Sequence, residues 1–188
     1  HYKISGNFTK YNIKFEGFKM IEKENIHEFM DVMKKQESWK IAETKESATS
    51  EKPPIVFITS TLQQKAYNIL KMSPKMTMTY AQELYENGLI TYMRTDSACI
   101  SQEFVNKMKD YITANYGSEY LHENINSLTF NKNKNKAQEA HEGIRITNLN
   151  KKEVNMKNSG SNRLYKLIYN NTLMCGMAKA KYDEKKYI

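Results

Sequence analysis

"AQELYENGLITYMRTDS", residues 81–97, passes from one kind of local structure to another within seventeen residues. Its first half continues a helical pattern opened by "MTMTY", with Met76, Tyr80 and Leu84 at i, i+4 and i+8 as the expected inward stripe. Gly88 stands where a left-handed residue commonly closes a helix. "LITYMR" is then short, partly β-branched and bounded by Gly88 and by Thr95, Asp96 and Ser97, which predicts that Tyr92 lies on a short strand or loop. In an extended segment side chains alternate, so Tyr92 and Arg94 would share a face. Arginine is the scarce residue here: of 29 basic residues only Arg94, Arg145 and Arg163 are Arg.

A phenol is a weak nucleophile at neutral pH because it ionises near a pH of about 10. A nearby guanidinium helps by stabilising the phenolate and by neutralising charge that builds on a phosphoryl group under attack. Losing one such preorganised donor costs roughly 3 to 4 kcal/mol in the transition state. The triplet Tyr92, Met93, Arg94 also fits a plainer reading, with Tyr92 packed in an interface and Arg94 capping a carbonyl or pairing with Asp96. A second stretch, "AQEAHEGIRIT" at residues 137–147, reads as a short helical turn leading into an extended segment. His141 and Arg145, four apart, would then share a helical face and could meet one phosphate or form a solvated surface pair.

Outward from these stretches the chain changes character twice. Residues 1–20 read as a hairpin, with Tyr11, Ile13 and Phe15 alternating with polar neighbours and Gly6-Asn7 as a turn before them. "NIHEFMDVMKK" switches to helical period, with Ile26, Phe29, Met30 and Met33 on one face and Asn25 and Glu28 as its N-terminal capping pair. Trp39 and Ile41 in "SWKIAET" predict a strand, and the polar "KESATSEKPP" marks a boundary. Helices follow: "TLQQKAYNILKM", with Leu62, Ala66, Ile69 and Leu70 inward and Ser60 or Thr61 as cap; "SQEFVNKMKDYITANYG", capped by Ser101, with Phe104, Val105, Met108 and Ile112 inward; and "RLYKLIYNNTLMCGMAKA" from Asn162, with Leu164, Leu167, Ile168 and Met174 inward. The chain returns to strand at about residue 180.

A formal charge of +8 favours polyanionic partners, either nucleic acid or an acidic membrane surface. No apolar run approaches the roughly 18 residues that span a bilayer, and no signal-peptide pattern is visible, so a soluble, cytoplasmic protein is expected. Cys99 and Cys175, and the scattered His1, His27, His122 and His141, make no zinc spacing or disulfide framework. Lys132, Lys134 and Lys136 form an alternating basic loop that suits either a DNA backbone or a solvated tip. The start at His1 and the end in "KYDEKKYI" read as a piece of a longer protein.

Taken together, "TSTLQQ" (59–64), "AQELYENGLITYMRTDS" and "AQEAHEGIRIT", in this order and with about forty residues between the last two, closely resemble the tyrosine-bearing part of the type IA DNA topoisomerases. The resemblance runs from about Pro53 to Tyr182. It implies an α+β fold in which a mostly helical, winged-helix-like domain carrying Tyr92 (53–180) is inserted into part of a β-sheet arch (1–52, returning at 181–188). It implies that Tyr92 and Arg94 are catalytic, that His141 and Arg145 bind DNA near the cut, and that Thr95, Asp96 and Ser97 belong to the same DNA-binding motif and shape its loop. Two positions depart from the pattern: Gly143 stands where Ala is common and Ile146 where Pro is common, which predicts a looser backbone around Arg145.

What the resemblance further implies is a monomeric enzyme that cuts one strand through a 5′ phosphotyrosine, passes a strand, reseals, and relaxes negative supercoils without ATP. Mg²⁺ is expected in the intact enzyme, bound by an acidic Toprim domain outside these 188 residues, so the piece alone is expected to be inactive. The partner is a single-stranded DNA segment, in a cytoplasmic and, in a bacterium, nucleoid setting. Two rivals remain at this level. A non-catalytic basic module binding single-stranded DNA through Lys and aromatic residues fits the charge. Tyrosine recombinases place their arginines before the nucleophile, and no Arg precedes Tyr92.

Overall fold

The computed structural model describes residues 4–8, 13–17, 26–35, 40–129 and 141–187. It divides into two compact units, one of His1–Ser47 with Glu184–Ile188 and one of Ala48–Asp183. The fold mixes helices and short strands.

In the smaller unit, β1 (Ile4–Phe8) pairs antiparallel with β2 (Ile13–Gly17), from Ile4 opposite Gly17 to Phe8 opposite Ile13. The expected hairpin forms, but Gly6 and Asn7 are paired within β1, opposite Phe15 and Lys14, and are not its turn. Helix α1 (Ile26–Lys35) has Glu28 in its first turn and Lys34 and Lys35 in its last, each complementing the helix dipole. Met30, expected inward, is exposed. Tyr11, Asn25 and Trp39, and the side chains of Ile13, Phe15, Ile26 and Phe29, lie outside the described residues.

Strands β3 (Thr44–Glu51) and β4 (Ala180–Tyr187) form a two-stranded sheet with every side chain exposed. Alternation predicts the first of these strands at Trp39 and Ile41, with the polar run after it as a boundary; the strand is instead that polar run, and residues 40–43 have no regular structure. Apolar alternation could not reveal it, because no face is buried. What accompanies the ladder instead is cross-strand pairing, Lys185 with Glu46 at 2.7 Å and the Tyr182 hydroxyl donating to Glu51 at 3.3 Å.

The larger unit packs α2 (Thr59–Leu70), α3 (Pro74–Glu86), α4 (Gln102–Tyr116) and α5 (Ser159–Cys175) around one apolar core. Local chemistry sets the helix starts. The Ser73 hydroxyl accepts from the Met76 amide with Pro74 in the first turn, the Ser101 hydroxyl accepts from Phe104, and the Asn158 side chain accepts from Gly160. Helix α2 differs from expectation: it starts after Ile58, which has no capping oxygen, and Thr61 reaches back so that its hydroxyl accepts from the Ile58 amide at 3.0 Å. Gly88 closes α3 with φ of +67°, as predicted.

The inward face of α4 is the expected one, with Phe104, Val105, Met108 and Ile112 all buried. That of α3 is turned by one residue: Thr77, Ala81 and Leu84 are buried while Met76 is exposed. Thr77 is buried without penalty because its hydroxyl donates to the Ser73 carbonyl, and its small side chain with Ala81 lets α3 pack closely on α2 and α5. Ile69 of α2 and Met174 of α5 are exposed although the periodicity put them inward, and α5 begins at Ser159, three residues before the expected start. Its buried front is broader than a single stripe, including Tyr165, Tyr169, Thr172 and Leu173. Both phenols are satisfied there, Tyr165 donating to the Lys151 carbonyl and Tyr169 to that of Leu149.

Residues 141–147 are not a helical turn. Ile144 bridges to Phe57 and Ile146 to Ile90, both antiparallel, so this extended segment lies between the residues that precede α2 and those that follow α3. The first four residues of the second motif, 137–140, and Lys132, Lys134 and Lys136 lie outside the described residues.

Candidate active site

After Gly88 the chain is extended, and burial alternates with a period of two: Tyr92, Arg94 and Asp96 face outward, while Met93, Thr95 and Ser97 are buried. Tyr92 and Arg94 are thus both turned outward, although the chain bends at Met93–Arg94 between them. Met93, fully buried, anchors the segment from below. Thr91 anchors it from the side: its amide donates to the Arg145 carbonyl at 2.9 Å, and its hydroxyl donates to the Gly143 carbonyl at 2.7 Å and accepts from the Arg145 amide at 2.9 Å. The two sequence motifs are thus laced together although 52 to 54 residues separate the bonded groups.

Two adjoining clefts open over this segment. The larger, about 520 Å³, is lined by Arg94, Thr95, Asp96 and His141 and by Ile58, Thr59, Ser60 and Gln63 at the start of α2. The smaller, about 340 Å³, is lined by Tyr85, Thr91, Tyr92, Thr95, His141 and Glu142. Thr95 and His141 border both, so His141 stands at the junction of the Tyr92 and Arg94 clefts. The positive end of the α2 dipole lies at the wall of the larger cleft, beside the Arg94 cation.

Tyr92 is 43% exposed and its ring meets Tyr85 edge-on, with centroids 5.2 Å apart. It is not sealed in an interface. Arg94 makes no hydrogen bond or ion pair with any described residue, neither with Asp96 nor with a carbonyl. Thr95 and Ser97 turn inward and shape the loop, the Thr95 hydroxyl accepting from the Ser97 amide at 3.1 Å and that of Ser97 from Cys99 at 3.3 Å. Asp96 alone of that trio faces outward.

Arg145 is where geometry departs most from the sequence reading. In an extended segment it cannot share a helical face with His141, and its side chain lines neither cleft. Its guanidinium lies 3.9 Å over the Phe104 ring, donates to the Ile146 carbonyl and pairs with Glu142 at 2.5 Å. Burial lowers its pKa, opposed by the Glu142 carboxylate. The other Glu142 oxygen accepts from the Ser101 amide at the start of α4. Glu142 and Thr91 are the linking residues that spacing does not reveal: both sit inside the quoted motifs, but no spacing rule reports bonds between segments this far apart.

The departure at Gly143 does not loosen the backbone. Its amide donates to the Cys99 carbonyl at 2.7 Å and its carbonyl accepts from Thr91, while the next amide donates to Phe57. A Cβ at this position would stand 2.5 Å from Val56 Cγ1 and 3.1 Å from the Ser97 carbonyl, so glycine is what the Val56 side chain leaves room for.

Among the described residues no group of three or more His, Cys, Asp or Glu is arranged to hold a metal ion, and no helix is long and apolar enough to cross a membrane.

A family model described as DNA topoisomerase matches residues 1–188. The chain is 40% identical over 168 residues to DNA topoisomerase 1 of Escherichia coli K12, covering 88% of this chain and 19% of that protein. It is 40% identical over 182 residues to the same-named protein of Buchnera aphidicola, covering 96% and 20%, and 43% identical over 157 residues to that of Campylobacter jejuni, covering 78% and 22%. The chain thus spans about a fifth of the length of these relatives. The structure of full-length topoisomerase I from Thermotoga maritima is similar with a TM-score of 0.69 and 30% identity, covering 98% of this chain and 30% of that one. A match along the whole chain, with sequence and structure in agreement, shows that the chain belongs to the DNA topoisomerase family, in its type IA branch.

Proposed function

We propose that this chain carries the strand-cleaving tyrosine of a type IA DNA topoisomerase. The carrying observation is that Tyr92 and Arg94, the latter unpaired among the described residues, are both turned outward at adjoining clefts that meet at His141. In this reading the Tyr92 oxygen attacks a backbone phosphorus of one DNA strand. The P–O3′ bond breaks, the phenolic proton ends on the departing 3′ oxygen, and the 5′ phosphate stays joined to the tyrosine. Arg94 neutralises charge on the non-bridging oxygens, and the 3′ hydroxyl reverses the step. Because the phosphotyrosine conserves the bond energy, resealing needs no ATP, and relaxation of negative supercoils follows from passing a strand before resealing.

His141 is proposed to contact the DNA beside the cut, and Asp96 to border the same path. Arg145 is proposed to act at one remove, holding Glu142 and the extended segment that carries His141, with Thr95 and Ser97 shaping the loop. The winged-helix-like and arch domains, at 53–180 and at 1–52 with 181–188, a single-stranded DNA partner, a monomeric state and a cytoplasmic, nucleoid-associated location belong to the same proposal. So does Mg²⁺ held by a Toprim domain outside this chain, with the piece alone inactive. When bound, the metal would supply electrostatic stabilisation of phosphate charge.

The test is covalent capture of a single-stranded oligonucleotide by the full-length protein. A label at the 3′ end should travel with the protein, and Tyr92→Phe should abolish the adduct while oligonucleotide binding persists. An undiminished adduct from the Phe variant refutes the assignment. Absence of any adduct with binding intact would favour a non-catalytic DNA-binding module, and a protein-linked 5′-end label would point to 3′ phosphotyrosine chemistry.

A further inference from the structure

We infer that Thr59 is the residue that positions Arg94 for cleavage by Tyr92, an inference that rests on the function proposed above. The first threonine of "TSTLQQ" borders the larger cleft at the start of α2. The Thr59 amide donates to the Thr95 carbonyl at 2.9 Å, and the Thr95 amide donates to the Thr59 hydroxyl at 2.9 Å. The hydroxyl oxygen also lies 2.8 Å from the Met93 carbonyl and 3.0 Å from that of Thr95.

A hydroxyl has one proton to give. The Thr95 carbonyl is already taken by the Thr59 amide and is the farther acceptor, so the proton goes to Met93. One side chain then holds the carbonyl of the residue immediately after Tyr92 and the amide of the residue immediately after Arg94. Those groups belong to the two peptides that flank Arg94, so they fix the direction in which its side chain leaves the chain towards the Tyr92 cleft. The segment is bent at Met93–Arg94 and has no ladder partner there among the described residues, so no strand pairing does this in place of Thr59. Thr59 is also in the first turn of α2, which ties the segment to a helix whose Leu62 and Ala66 are buried in the core. Neighbouring Thr61 is committed to the Ile58 backbone and Ser60 faces outward, so neither can substitute.

Three full-length variants separate the possibilities. Thr59→Val keeps the shape and removes the hydroxyl, Thr59→Ser keeps the hydroxyl, and Tyr92→Phe checks the parent reading. For Thr59→Val, hydrogen exchange over residues 93–97 should speed up, the rate of covalent capture should fall by about tenfold to a hundredfold, and oligonucleotide affinity should stay within about twofold, since a displacement of an ångström at reacting groups costs rate and not binding. Thr59→Ser should restore both exchange and rate. The inference is overturned if Thr59→Val leaves exchange or capture rate unchanged, if Thr59→Ser fails as badly as Val, or if rate falls only in step with affinity. An adduct surviving in Tyr92→Phe would overturn the parent reading and the inference with it, whereas the Thr59 outcomes bear on the inference alone.

Discussion

Replacing Glu142 by Ala tests the internal logic of the site, since this wall of the smaller cleft is committed to Arg145 and to the Ser101 amide. The Arg145 and Glu142 side chains are 11% and 21% exposed and 2.5 Å apart, and the second Glu142 oxygen accepts from the Ser101 amide. Breaking a buried pair by removing one partner costs about 3 to 5 kcal/mol because the survivor is left charged and uncompensated. Partial access to water brings this site to about 2 kcal/mol, and the lost bond to the Ser101 amide adds about 1, for a total of about 3 kcal/mol. With a urea slope of about 2 to 3 kcal/mol per molar for a chain of this size, the midpoint should fall by about 1 to 1.5 M. Arg145→Met retains packing over Phe104 without the charge, so the double variant Glu142→Ala/Arg145→Met should be more stable than Glu142→Ala alone. A Glu142→Ala midpoint within about 0.2 M of the unmodified chain, or a double variant weaker than the single, would refute the view that Glu142 neutralises a buried cation.

Gly143→Ala should destabilise the chain by about 1 to 3 kcal/mol through its contact with Val56, and adding Val56→Ala should recover part of that loss in the same urea experiment. Burial pushes the Tyr165 hydroxyl up to about 12, against about 10 when unfolded, so above pH ~10 the unfolded chain releases a proton that the folded chain keeps. Stability should therefore be constant on this account below pH ~10, fall from there to pH ~12, and fall less in Tyr165→Phe, as followed by circular dichroism across that range. Burial likewise raises the Cys175 thiol to about 12, whereas Cys99 is half-buried, so a thiol reagent at neutral pH should label Cys99 first and reach Cys175 only on unfolding, as peptide mass analysis would show.

Much of the site's local form was legible because it depends on near neighbours. Gly88 ends a helix through its own backbone freedom, Ser101 caps α4 three residues ahead, and alternation along residues 92–97 follows from an extended chain. Errors arose where burial depends on what lies opposite. Met76 and Ile69 carry apolar side chains at helical spacing, yet the face turned to the core is the one whose small residues, Thr77 and Ala81, permit close packing. The polar strand at Thr44–Glu51 gave no periodic signal because neither of its faces is buried.

From the residues alone come a basic chain, four core-forming helices, a short strand or loop bearing Tyr92 and Arg94, and the family to which the motifs belong. Only the tertiary structure decided that His141 stands between the two clefts, that Arg145 is spent on Glu142 and Phe104, and that Thr59 grips the backbone on either side of Arg94. The physical reason is range. Helix caps, turns and alternation are set by atoms a few residues apart, whereas hydrogen bonds across 34 to 54 residues exist only after the core has brought the segments together.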